Sequence, residues 1–118
     1  MKYKVIIKFI FHDTDLFYRR KFVFFKGDKL HRLNGPACES GDGLKEWMQD
    51  GKYHRLDGPA REWYNGDKEW YQNDKRHRLN GPAIECASGH LYWYIDNLNY
   101  NETAFNLKIA EIENCNEI

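Results

Sequence analysis

A heptapeptide returns three times along the chain at one fixed spacing. His31-Arg32-Leu33-Asn34-Gly35-Pro36-Ala37 recurs as His54-Arg55-Leu56-Asp57-Gly58-Pro59-Ala60 and again as His77-Arg78-Leu79-Asn80-Gly81-Pro82-Ala83, 23 residues apart each time, without insertion. Neighbouring positions keep the same register: Lys29, Lys52 and Lys75; Glu39, Glu62 and Glu85; Trp47, Trp70 and Trp93. A period of this length marks a repeat array, in which each unit buries apolar surface mainly against its neighbours. The repeat constrains the fold more than any bulk property does.

Two turn signals fall within each period. Gly27-Asp28, Asp50-Gly51, Asn73-Asp74 and Asp96-Asn97 form one set; Asp42-Gly43, Asn65-Gly66 and Ser88-Gly89 form the other. Pairs of Asx and Gly suit two-residue type I′ turns, whose central residues both need positive φ. Between the turns lie segments such as Lys45-Glu46-Trp47-Met48-Gln49 and Lys68-Glu69-Trp70-Tyr71-Gln72, which alternate in character as half-buried strands do. Proline cannot donate to a sheet ladder, so each Leu-Asx-Gly-Pro step must break or bulge a strand. A kink there leaves two strands per repeat and keeps successive repeats in one orientation; a reversal makes three and flips alternate repeats. The two-strand form is preferred, because it gives matching side chains matching environments. The fold predicted is mainly β: a single-layer antiparallel β-meander of hairpin repeats over residues 27–100.

Both ends of the array need caps. Residues 2–11 and 16–26, joined by residues 12–15, read as an N-terminal β-hairpin cap within residues 1–26, with Phe24 at the Trp position of the first repeat. Residues 101–118 change period. Asn101 suits an N-cap, Glu102 the positive end of a helix, and Phe105, Ile109 and Ile112 form an apolar stripe at helical spacing. A C-terminal α-helix and tail are therefore expected, in a single repeat domain of 118 residues.

Composition narrows the function. The 18 Lys and Arg balance 18 Asp and Glu, which argues against a nucleic-acid binder, and 16% aromatic content argues against disorder. Three widely separated cysteines (Cys38, Cys86, Cys115) make no disulfide framework and suit a reducing compartment. The apolar stretch at residues 5–11 is too short to span a bilayer and is followed by no cleavage signal. The expectation is a cytoplasmic protein that binds neither nucleic acid nor membrane.

The segment Trp47-Met48-Gln49-Asp50-Gly51-Lys52-Tyr53-His54 resembles the aromatic, Asx-Gly-Lys-x-His core of MORN repeats, which also run about 23 residues. Arg55-Leu56-Asp57-Gly58-Pro59-Ala60 departs from the usual glycine-rich MORN ending and is more similar to MORN-like variants in proteins of bacteriophages and large DNA viruses. The resemblance covers residues 24–100. It implies an elongated single-layer sheet, a viral source and a binding role without catalysis. MORN modules are associated with scaffolding, partner binding and lipid contact.

Three residue classes are candidate sites. His31, His54 and His77 invite a metal, but equivalent positions two strands apart lie roughly 10 Å from one another, too far to share one ion. They read instead as structural histidines bracing turns, and no metal or cofactor is expected. Arg32, Arg55 and Arg78 could form an anion-binding ladder or pair with Glu39, Glu62 and Glu85 seven positions on; Arg76 makes residues 75–78 locally basic and a candidate phosphate contact. Trp47, Trp70 and Trp93, with Trp63 and Tyr71, either pack between repeats or form a platform for a partner. Gly35-Pro36, Gly58-Pro59 and Gly81-Pro82 belong to the structural motif.

No nucleophile motif, phosphate-cradling loop or metal spacing emerges, so no catalytic residues and no enzyme activity are expected. The leading expectation is a non-catalytic protein-binding module. By resemblance, it is a viral accessory protein that inhibits or redirects a host protein such as a defence factor. Two alternatives stand beside it: a sponge for a nucleotide or other anionic ligand, and a structural homo-oligomer.

Overall fold

The residues in left-handed backbone conformations mark where the chain reverses. The computed structural model describes residues 3–9 and 20–115. The predicted tip of the N-terminal hairpin, with residues 10–19, and the tail at 116–118 lie outside the described residues. Asn73-Asp74 and Asp96-Asn97 have both residues at φ between 47° and 69°, and Asp50-Gly51 lies at 50° and 76°, the signature of type I′ turns. At Gly27-Asp28 only the glycine is positive (63°).

The second set of turns differs from expectation. At Asp42-Gly43, Asn65-Gly66 and Ser88-Gly89 only the glycine has positive φ (88°, 98° and 96°). The Gly43 N–H donates to the Ser40 carbonyl (3.0 Å) and the Ser40 N–H to the Leu44 carbonyl (2.9 Å); Gly66 with Trp63 and Gly89 with Cys86 repeat the first bond. These are three-residue loops, a type I turn followed by a left-handed glycine bulge, rather than two-residue type I′ turns.

The chain forms β1 (Tyr3–Phe9), β2 (Arg20–Lys26), β3 (Lys29–Leu30), β4 (Cys38–Ser40), β5 (Lys45–Glu46), β6 (Met48–Gln49), β7 (Lys52–Tyr53), β8 (Arg61–Glu62), β9 (Lys68–Glu69), β10 (Tyr71–Gln72), β11 (Lys75–Arg76), β12 (Ile84–Glu85), β13 (Leu91–Ile95), β14 (Leu98–Tyr100) and α1 (Glu102–Cys115). A long antiparallel sheet runs β1-β2-β4-β5-β8-β9-β12-β13-β14, with β3 also on β2; β6-β7 and β10-β11 make two further hairpins. The result is a β-meander with a C-terminal helix.

The short segments belong to longer strand paths. Lys45 pairs with Glu62 and Glu46 with Arg61, whereas Met48 pairs with Tyr53 and Gln49 with Lys52. Between these two registers, residues 54–59 leave the ladder. Trp47 pins both ends of that excursion: its carbonyl accepts the His54 N–H (3.1 Å) and its N–H donates to the Ala60 carbonyl (2.7 Å). Phe24 does the same for His31 and Ala37, and Trp70 for His77 and Ala83. Each repeat therefore has two strand paths, the second carrying a six-residue excursion around the proline, and all repeats point the same way.

The buried residues are few and small: Ala37, Ala60 and Ala83 are 0% exposed. The Ala37 and Ala60 N–H groups reach the next repeat, donating to the Glu46 and Glu69 carbonyls at 2.8 Å. Single-layer construction shows in the dimensions, 54 × 38 × 18 Å, and in a radius of gyration of 16.9 Å. A compact chain of this length would have about 13.5 Å. At the C-terminus Asn101 Oδ1 accepts the Ala104 N–H (2.8 Å) and caps α1. The helix buries Phe105 against β13 and β14.

Candidate functional site

Strand alternation sorts the candidate residues onto two opposite faces. Trp47 shares its face with Lys45 and Gln49, and the excursion folds over that side. Arg55, which opens the excursion, lays its guanidinium on the Trp47 ring at 3.9 Å; Arg78 covers Trp70 at 3.9 Å and Arg32 covers Phe24 at 4.1 Å. Arg55 is held from every side: Nε donates to Asp57 Oδ1 (3.1 Å), and Nη1 to the Pro59 carbonyl (3.0 Å) and to Glu62 Oε1 (3.5 Å). Arg78 repeats the set with Asn80, the Pro82 carbonyl and Glu85 (2.9 Å). A side chain on Gly58 would place its Cβ 2.8 Å from the Arg55 Cζ, so glycine provides the space the guanidinium fills. Two of the three arginines thus pair with the glutamate seven positions on.

The histidines sit at the junctions between repeats. His31, His54 and His77 use Nδ1 to accept the backbone N–H of Asp50 (2.9 Å), Asn73 (3.1 Å) and Asp96 (3.1 Å), the first residue of the next repeat's turn. In the neutral ring this places the proton on Nε2. The turns answer with their own side chains, Asp74 Oδ1 accepting the Tyr53 N–H (2.8 Å) and Asn97 Oδ1 the Arg76 N–H (2.9 Å). Among the described residues, no group of three His, Cys, Asp or Glu side chains could hold a metal ion. No helix among them is long and apolar enough to cross a membrane.

Trp63, Tyr71 and Arg76 lie on the reverse face, away from the Trp column. Arg61 stacks over Trp63 (4.5 Å) and Tyr53 (5.0 Å), and Arg76 lies between Tyr71 (5.9 Å) and Tyr94 (5.4 Å). Arg61 also stands between two carboxylates, Nε 3.3 Å from Glu46 and Nη1 3.5 Å from Glu69; the first is an ion pair by distance but lacks hydrogen-bond geometry. The basic segment 75–78 is thus divided, with Arg76 on one face and Arg78 on the other.

Tyr53 donates its hydroxyl to Glu46 Oε2 (2.8 Å). Burial, then that bond to an anion, pushes its pKa up from 10.0 to about 12. A raised native pKa means that the neutral phenol stabilises the fold fully below pH 10.0, and that this contribution is lost as pH rises through about 12. Burial, then the nearby Glu69 carboxylate, raises the Tyr71 phenol as well. Ultraviolet titration should therefore show late tyrosinate from both residues, and Tyr53→Phe should remove the component near 12. If every tyrosine ionises together near 10.0, the Tyr53–Glu46 bond is absent in solution.

On the excursion face, the gaps between successive excursions form a series of parallel grooves. One, of about 740 Å³, runs over Trp47 and Gln49 between Arg32-Leu33-Asn34 and His54-Arg55-Leu56. The next, of about 610 Å³, runs over Trp70 and Gln72 between Arg55–Pro59 and His77–Asn80. A third, of about 530 Å³, runs over Trp93 between the Leu79–Pro82 segment and α1, lined there by Phe105 and Ile109. Asn101 falls where a fourth excursion would place its arginine, so α1 walls the last groove in place of one.

The crests between the grooves carry Leu33, Leu56 and Leu79, exposed at 62%, 75% and 43%. Sequence reasoning did not single out these leucines, although their return in every heptapeptide was the available signal. Compared with known proteins, the chain matches no family model, no curated protein and no solved structure.

Proposed function

We propose that this protein is a non-catalytic protein-binding module whose contact surface is the grooved excursion face. The observation carrying this reading is the row of leucines exposed on the crests. A leucine left exposed at the same position of three repeats contributes little to the core, and regularly spaced apolar crests between grooves suit a protein partner. Trp47 and Trp70 already carry arginines on one ring face, so they act as groove floor rather than as a bare stacking platform. The MORN-like resemblance supports placing the partner in a host cell, with this chain as a viral accessory factor acting on it.

Leu56→Ser should leave stability within about 0.5 kcal/mol, because so exposed a side chain buries little on folding. Binding should fall about tenfold or more, as for an interface anchor. Capture from host lysate with wild type, Leu56→Ser and the helix variant Lys108→Ala checks this. One partner held by wild type and Lys108→Ala but lost by Leu56→Ser supports the reading; equal retention by all three overturns it.

A further inference from the structure

The three stacked arginines are not equally neutralised. Arg55 has Asp57 and Glu62, and Arg78 has Asn80 and Glu85. Among the described residues, the Arg32 guanidinium makes one hydrogen bond, from Nη1 to the Pro36 carbonyl at 3.3 Å, and no ion pair. Its position is otherwise the same, stacked on Phe24 at 4.1 Å and resting over Gly35. Arg32 lines the 740 Å³ groove on one side and a 270 Å³ hollow on the other. The single carboxylate in that groove, Asp57, is already taken by Arg55 Nε at 3.1 Å. A half-buried guanidinium with its Nε and one Nη uncommitted, facing a groove rimmed by Leu33 and Leu56, lacks one anion and offers apolar contact on both sides.

We propose that Arg32 is the charge-reading residue of the grooved face: it takes one Asp or Glu carboxylate of an extended acidic–apolar segment whose aliphatic side chains lie against Leu33 and Leu56. The carboxylate supplies the acceptor for Arg32 that Asp57 supplies for Arg55, and a fork of two N–H donors suits it. The proposal rests on the protein-binding reading and adds to it the chemistry of the partner. It also makes the three grooves inequivalent, since only the first presents an unpaired cation.

The test is an NMR titration of the full chain, observing the arginine Nε–Hε and leucine methyl signals. The probes are acetyl-Leu-Glu-Leu-amide, its glutamine counterpart acetyl-Leu-Gln-Leu-amide, and inorganic phosphate. The glutamate peptide is expected to move the Arg32 signal with the Leu33 and Leu56 methyls and to bind about tenfold more tightly than the glutamine peptide. Arg32→Gln should abolish that preference. So should Asn34→Asp, which gives the first repeat the carboxylate of the second and keeps the arginine in place.

Equal binding of the two peptides, with the leucine methyls moving in both, overturns the role of Arg32 and leaves the grooved face as a protein-binding surface. Phosphate matching the glutamate peptide overturns the peptide assignment in favour of a free-anion site. No movement of any signal with any probe overturns both readings.

Discussion

Ala60→Leu is expected to lower the unfolding free energy by about 3 kcal/mol and the melting temperature by about 10 °C. Ala60 is 0% exposed and stands where the chain rejoins the sheet after its excursion. Its carbonyl accepts the Trp47 N–H and its N–H donates to Glu69, so the backbone is held from both sides at 2.7 and 2.8 Å. It lies opposite Trp47, which directs its methyl to the face that the excursion covers. A larger side chain must lift the excursion or break ladder bonds to two neighbouring strands. Ala60→Gly, which only loosens the strand, should cost about 0.5–1 kcal/mol. Denaturant unfolding of both variants decides the matter. A leucine variant as stable as wild type would show that the space beneath the excursion is loosely filled and that the alanine column does not set the packing.

The second large effect belongs to Gly58. Its φ is not in the left-handed region, so the glycine is required by space and not by conformation. Gly58→Ala must push the Arg55 guanidinium off the Trp47 ring and away from Asp57 and the Pro59 carbonyl. Losing one stacked cation and its charge-assisted bonds at a half-buried site should cost about 2 kcal/mol. The cost should vanish when the guanidinium is already gone. In an Arg55→Ala background, Gly58→Ala should be nearly neutral, giving a coupling of about 2 kcal/mol in a double-mutant cycle. Simple additivity of the two variants would mean that the glycine serves some other need.

Much of this architecture was legible in the chain, and particular residues show why the rest was not. The 23-residue period is legible by plain recurrence. The turn positions and the Asn101 cap are local signals satisfied within a few residues and stand where expected, although the loops at Asp42-Gly43, Asn65-Gly66 and Ser88-Gly89 have three residues instead of two. The proline step could be read as a strand that breaks, but not as a six-residue excursion, because its closure depends on Trp47 bonding both His54 and Ala60 across the sheet.

The sorting of aromatics onto faces was partly available. Trp70 and Tyr71 are adjacent and must point to opposite sides of a strand, whereas placing Trp63 needs the hairpin register. The Arg–Trp stack was invisible, since nothing in the spacing of Trp47 and Arg55 states that the intervening turn brings them together. Reading the leucines as crest residues needed the excursion first.

The histidine bonds carry a consequence for how long such a molecule can be. His54 reaches the turn amide of Asn73, His77 that of Asp96, and the Asx side chains of those turns reach back, so the links between units run along the chain in one repeating hand-over. A copy of residues 54–76 inserted after residue 76 would receive a histidine from the unit before it and lend one to the unit after it. It would lengthen the ribbon by two strand spacings, about 10 Å, and open one further groove without disturbing either end. Size is thus a counted quantity in this protein, and evolution or design can set the reach of its surface in whole-number steps.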